Sequence, residues 1–123
     1  MRHFLILIAA VCAAPALAQE VDCETAMTQY EMNHCAYEAY LAADEDLNAT
    51  YIWSLDVAYE WSNDAAMALR DAQRAWIPYR DAACVAAASR YEGGSIQPLI
   101  EYSCLDHLTR QRTQELRNVY EGP

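Results

Sequence analysis

The chain has 123 residues, eight Arg and no Lys, eighteen Asp plus Glu, and a formal net charge of −10. That length is one domain's worth of chain, and the acidic balance excludes a general nucleic-acid binder, which needs a basic face. Three Gly and four Pro argue against a loop-rich or disordered chain, so the composition reads as small, acidic and helical.

Met1-Arg2-His3 precedes an apolar run from Phe4 to Ala14, and Ala16-Leu17-Ala18 follows. A basic start, a short apolar stretch and an A-x-A-like exit predict a secretory signal peptide over 1–18, cleaved after Ala18. The run falls short of the ~20 apolar residues of a membrane span, and no later segment has the length and apolarity to cross one. A lipoprotein signal using Cys12 would place Val11 where such signals carry Gly or Ala, which disfavours it. The mature domain is then 19–123. It keeps all eighteen acids against seven Arg, a net charge of −11, and four Cys: Cys23, Cys35, Cys84 and Cys104. An even count in a small exported domain reads as two disulfides, with three possible pairings.

Thr28-Gln29-Tyr30-Glu31 fits a capping box, with a hydroxyl at the N-cap and Glu three residues on. Tyr37, Tyr40, Leu47, Tyr51, Leu55 and Ala58 then recur at steps of three and four, predicting a helix over about 29–60 with a break near 42–46 as an option. Ser62-Asn63-Asp64 supplies N-cap candidates for a second helix over about 64–91, whose stripe runs through Leu69, Ala72, Trp76, Tyr79 and Ala83. Pro78 inside it predicts a kink, and Gly93-Gly94 stops it. Ser95 as a cap and Pro98 in the next turn start a third helix over about 96–120. Short connections favour antiparallel neighbours, so the fold class is all-α, an up-down-up three-helix bundle.

Level arithmetic on such a bundle puts Cys84 opposite position 105, one residue from Cys104, within disulfide reach. Cys23 and Cys35 remain, and they can join only if the segment before the capping box folds back. On one continuous helix they would lie about 18 Å apart. Cys35–Cys84 with Cys23–Cys104 stays open at this point.

The same arithmetic exposes a polar layer. Asp44 interrupts the apolar stripe of the first helix, with Asn48 beside it. Gln73 and Arg80 lie on or near the seam of the second, and Arg112 stands where the third expects an apolar residue. Arg80 comes level with Asp44 and near Thr109, and Arg112 level with Leu47-Asn48, so the charges are expected to converge on one slice and bond one another. The planar fork of Arg suits a carboxylate partner. The expected role is a structural layer that fixes helix register, since no nucleophile with its base stands nearby.

These residues carry a resemblance. Cys23-x11-Cys35 with Thr28-x-x-Glu31, Ala43-Asp44-x-x-Leu47-Asn48-x-x-Tyr51, Ala72-Gln73-Arg74-Ala75-Trp76-x-x-Tyr79-Arg80-Asp81-x-x-Cys84, Gly93-Gly94-Ser95 and Cys104-Leu105-x-x-x-Thr109-x-x-Arg112-x-x-x-Leu116 resemble the lysozyme inhibitor LprI-like family over about 23–120. The Gln-Arg-Ala-Trp stretch with the following Tyr-Arg-Asp and Cys is the most specific part. The resemblance implies a small exported bacterial domain, periplasmic or extracellular, and inhibition of lysozyme. The shorter gap between the last two Cys of some relatives favours Cys84–Cys104 and hence Cys23–Cys35. It carries no residue-level inhibitory motif onto this chain.

The function expected from this resemblance is a binder or inhibitor of a cationic lysozyme-like hydrolase, toward which an acidic domain would be steered. The alternative is a non-inhibitory envelope interaction or stress module. Candidate partner-binding residues are Glu92, Gly93, Gly94 and Ser95, where glycines allow close backbone approach, and Trp53 and Trp61, which fall off the main stripe. The mature chain has only His34 and His107, and its thiols are expected to be oxidised, so no metal, cofactor or catalytic residue is expected.

Overall fold

In the computed structural model, which describes residues 20–122, helix α1 spans Gln29–Trp61, α2 Asn63–Ala88 and α3 Gln97–Tyr120. Among the described residues there is no strand, and no helix is long and apolar enough to cross a membrane. The signal peptide expected over 1–18 lies outside the described residues.

The capping box forms as the sequence predicts. The Thr28 hydroxyl accepts from the Glu31 N–H at 3.2 Å, and the Glu31 carboxylate accepts from the N–H groups of Thr28 at 2.9 Å and Met27 at 3.0 Å. These N–H groups of Thr28 and Met27, then the Thr28 hydroxyl, hold the Glu31 carboxyl below the usual carboxylate range. From there α1 runs unbroken for 33 residues, so the optional break near 42–46 does not occur.

A single residue joins α1 to α2. Ser62 sits in extended backbone, its N–H donating to the Ala58 carbonyl while its hydroxyl accepts from the Ala65 N–H at 3.0 Å. It therefore ends one helix and caps the next. Helix α2 continues through Pro78, which lies on the solvent side. It ends at Ala88 rather than 91, because Ser89–Tyr91 tightens into a 3-10 turn. Gly93 then adopts a φ of 76°, the left-handed conformation that glycine reaches without a Cβ clash. The expected Ser95 cap is not made. Ile96 holds the N-cap position of α3 with no side-chain cap bond, and Pro98 occupies the first turn, where a missing N–H costs nothing.

Helix α2 is antiparallel to its neighbours, so α1 and α3 run parallel. Cross-links in matching order mark this: Asn33 Nδ2 donates to the Ser95 carbonyl, Arg117 pairs with Asp46, and Trp61 stacks on Tyr120 at 5.0 Å. The most extensive helix contact is α1 on α3. Its buried face is built from small residues, with Ala43, Thr50, Ser54 and Ala58 on α1 and Thr109 and Thr113 on α3. Small side chains let two backbones approach closely. Their hydroxyls are absorbed locally: Ser54 donates to the Thr50 carbonyl at 2.8 Å, and Thr113 to the Thr109 carbonyl at 3.2 Å. Among the described residues, Leu47, Leu69, Leu105 and Leu116 are the large aliphatic side chains buried in the core.

Both disulfides pair as favoured. Cys23 joins Cys35 with 5.6 Å between Cα atoms, and Cys84 joins Cys104 with 5.4 Å. The first requires the fold-back before α1. Asp22 provides it, its carboxylate accepting from the Glu24 N–H and its carbonyl from the Thr25 N–H. The two bridges differ in access, since Cys23 is exposed and Cys84 is fully buried.

Two outcomes are expected. Limited reduction of the folded protein opens Cys23–Cys35 before Cys84–Cys104, read by alkylation and peptide mapping; the reverse order contradicts the fold. The double variant Cys84→Ala/Cys104→Ala loses about 3 kcal/mol on urea unfolding. At the start of α1, the Glu31 contribution is complete while its carboxylate is ionised and fades as pH falls through its depressed titration. Thr28→Ala is expected to cost about 1 kcal/mol at neutral pH, and a Thr28→Ala protein as stable as its parent would remove the cap from this account.

Candidate functional site

The bundle's polar layer is built around one cation. Arg80 of α2 is only 6% exposed. Its Nη1 donates to Asp44 Oδ1 on α1 at 3.1 Å and to Thr109 Oγ1 on α3 at 3.4 Å, and its Nε donates to Asp81 Oδ1 at 2.9 Å. The guanidinium carbon lies 5.5 Å from the Tyr40 ring centroid and 5.2 Å from that of Trp76, cation–π distances. All three helices therefore contact one guanidinium. Burial works against the charge of Arg80, but the hydrogen bonds and fields of Asp81, Tyr40 and Asp44 outweigh it and hold the group more firmly protonated. Burial raises the Tyr40 phenol above its ordinary range; the Arg80 cation opposes this, while Asp44, Asp81 and Tyr37 reinforce it.

The single slice expected from sequence is in fact two clusters. Arg112 does not reach Asp44 or Asn48. Its Nε donates to Gln73 Oε1 at 3.1 Å and its Nη1 to Glu115 Oε2 at 3.3 Å, so it links α3 to α2 alone. The physical reason is the helical step. Thr109 faces the bundle axis, and three residues on the side chain has turned by about 300° toward the α2 side. Asn48 is exposed and makes only a 3.4 Å contact to Asp44 Oδ2 within its own helix.

Four partners of Arg80 deserve naming because periodicity did not assign them all a role. Trp76 stands four residues before Arg80 and Tyr40 four before Asp44, the spacing that places side chains one turn apart on a helix face. Asp81 is the next residue in the chain. Thr109 was expected near Arg80, but its hydroxyl's acceptor role comes from the tertiary arrangement. An arginine does not deprotonate in proteins, and among the described residues no buried side-chain polar atom lacks a hydrogen-bond partner. The cluster's hydrogen bonds bridge all three helices.

The remaining candidates lie outside. Glu92, Gly93, Gly94 and Ser95 are exposed and tied down as a turn: the Gly94 N–H donates to the Tyr91 carbonyl at 2.9 Å and the Gly93 N–H to Gln97 Oε1 at 3.0 Å. Trp61 is 57% exposed although stacked on Tyr120. Trp53 walls an open trough of about 330 Å³ between α1 and α3, with Asp46, Arg117 and Glu121 around it. A larger groove of about 560 Å³ runs between α2 and α3, lined by Ala65, Leu69, Leu116 and Val119, with Arg112 and Glu115 also on its wall. Among the described residues no group of three or more His, Cys, Asp and Glu side chains is placed to hold a metal ion.

The model of a family described as lysozyme inhibitor LprI matches residues 21–116. An uncharacterized protein of Rhizobium meliloti (strain 1021) is 42% identical, the match covering 90% of this chain and 88% of that protein. No solved structure matches.

The Arg80 cluster predicts unequal costs. Arg80→Ala removes the shared cation and leaves Asp44 and Thr109 facing a void, and is expected to cost about 3 kcal/mol. Asp44→Ala leaves the guanidinium its Asp81 partner and is expected to cost about 1–2 kcal/mol. Chemical denaturation checks the order; an Arg80→Ala protein that unfolds like its parent removes the cluster from the stability of the fold.

Proposed function

We propose, because this chain belongs to the lysozyme inhibitor LprI family, that it is an exported protein that binds and blocks a lysozyme-like cell-wall hydrolase. The family match over residues 21–116 carries this reading, since it spans the helical domain from the fold-back before α1 to the last turns of α3. Two disulfides suit an oxidising compartment outside the cytoplasm, which fits the signal peptide expected over 1–18. Such a protein acts as a ligand rather than a catalyst, and the inward-facing charges accord with that role because they are spent on one another.

Steric blockade requires covering the hydrolase's carboxylate pair or its sugar cleft. Eighteen acids against eight Arg give a chain of net charge −10, which favours fast encounter with a cationic enzyme at low ionic strength. A second reading, a non-inhibitory envelope interaction module, draws on the exposed aromatics Trp53, Tyr59, Trp61 and Tyr79, a residue class enriched at protein interfaces.

The test is a lysis assay with the oxidised mature chain against cationic lysozymes of several classes at 50 and 300 mM salt. Inhibition of at least one class, weaker at the higher salt, is expected. Complex formation on size exclusion without inhibition favours the second reading, and neither complex nor inhibition overturns the first.

A further inference from the structure

The Arg residues of this protein are distributed unevenly. Helix α1 carries seven acids in its 33 residues and no Arg or Lys, whereas α2 and α3 hold six Arg between them. Four of those reach across to α1: Arg80 pairs with Asp44 and Arg117 with Asp46, while Arg70 donates to the Tyr59 hydroxyl and Arg110 to the Ala39 carbonyl. Both ion pairs lie on the flanks of α1 that meet the other helices. On the face of α1 directed away from the bundle, Arg70 reaches the Tyr59 hydroxyl at 3.1 Å, but no carboxylate there is ion-paired among the described residues.

That outward face has a regular pattern. Leu41, Glu45, Ala49, Ile52, Asp56 and Tyr59 follow at steps of three and four, all exposed, which places them in one row about 27 Å long. Acidic and apolar groups are interleaved along it. Ile52 is 61% exposed and Tyr59 45%. Glu38 and Glu60 extend the row at its two ends, and Trp53 borders it. Among the described residues none of Glu38, Glu45, Asp56 and Glu60 takes part in an ion pair within 4.0 Å. By contrast the outward faces of α2 and α3 mix signs, with Asp71 beside Arg74 and Asp106 paired with Arg110.

We infer that the outward face of α1 is the protein's docking surface, and that its partner is a protein presenting Lys or Arg side chains around a shallow apolar patch. This rests on, and deepens, the reading of the protein as a binder of a cationic hydrolase. Charge complementarity selects the occupant. Four uncompensated carboxylates in one row repel an anionic surface and attract a basic one, while Leu41, Ile52 and Tyr59 supply the apolar area that charge alone does not. The surface is preorganised, because the helix beneath it is fixed by a capping box at one end, Ser62 at the other and Arg80 between.

Two double variants with the same net charge test the assignment. Glu45→Arg/Asp56→Arg reverses the row, and Asp71→Arg/Glu92→Arg reverses exposed acids elsewhere, including the 92–95 turn. Binding to an immobilised cationic lysozyme is measured at 50 mM salt, with thermal melts to establish that both variants fold. The first is expected to weaken binding about tenfold or more, and the second less than threefold. Ile52→Asn is expected to weaken it at both 50 and 300 mM salt. Equal losses from the two double variants, or a larger loss from the second, overturn the assignment. If the parent binds no lysozyme, the proposed function fails, and the surface is read separately with a synthetic Lys/Leu amphipathic peptide titrated into the isotope-labelled protein. Amide shifts confined to the outward residues of 38–60 uphold the inference. Shifts on other faces, no shifts, or Trp53 responding to a chito-oligosaccharide and not to the peptide overturn it.

Discussion

A guanidinium buried between two aromatic rings, with a carboxylate from α1, a hydroxyl from α3 and a carboxylate next to it in α2, is the interaction on which the helix register depends. A buried charge is costly unless its hydrogen bonds are met, and Arg80 meets them only when Asp44 and Thr109 stand at its own level. Sliding α1 or α3 by one turn, about 5.4 Å, would carry Asp44 or Thr109 out of reach of the cation. An apolar layer would be more tolerant, because dispersion contacts have little directionality. The direction-specific bonds of Arg80 select one alignment among the many that a three-helix seam of small residues would otherwise accept.

That selectivity matters because the rest of the interior is thin. Alanine, serine and threonine fill most of the α1–α3 contact, and large aliphatic side chains contribute few fully buried positions. Small residues give close approach but bury little apolar area each. The covalent and capping devices compensate. One disulfide pins the segment before α1, the other joins α2 to α3, and Ser62 closes the first turn with a single residue. The large aromatics meanwhile gather at the edges: Tyr37 and Tyr40 against Tyr102 near the start of α1, Trp61 against Tyr120 at the opposite end. This arrangement uses the positive charges inwardly or on α2 and α3, and leaves α1 to present acids to solvent. The fold and the outer charge pattern thus have one origin, the placement of arginines on the second and third helices.

Much of this was legible in the chain. The Thr28–Glu31 box, the apolar spacing through Ala58 and the polar cluster at Ser62 give α1 and its two ends almost to the residue, since each is a local hydrogen-bond requirement. Level counting brought Cys84 to Cys104 and Arg80 to Asp44, because antiparallel neighbours joined by short turns have little freedom to slip. The same counting failed for Arg112. Counting along helix axes gives height and not azimuth, and Arg112 is at the right height but points to Gln73 and Glu115. Ser95 is not the cap, because α3 starts at Gln97 and Ile96 holds the N-cap position. The Ser95 carbonyl instead accepts from Asn33 of α1, 62 residues away in the chain, a contact no local pattern predicts.

Local chemistry by itself determined where the helices begin and end, that the four cysteines of the domain could cross-link, and that charged groups would interrupt an apolar seam. These follow from backbone hydrogen bonds and periodicity, which act over a few residues. That Arg112 turns to Gln73 and Glu115, which aromatics turn inward, and that the carboxylates in the outward row of α1 are left without ion pairs were decided only by the tertiary structure. Those outcomes depend on rotation about each helix axis, and rotation is fixed by contacts between residues far apart in the chain.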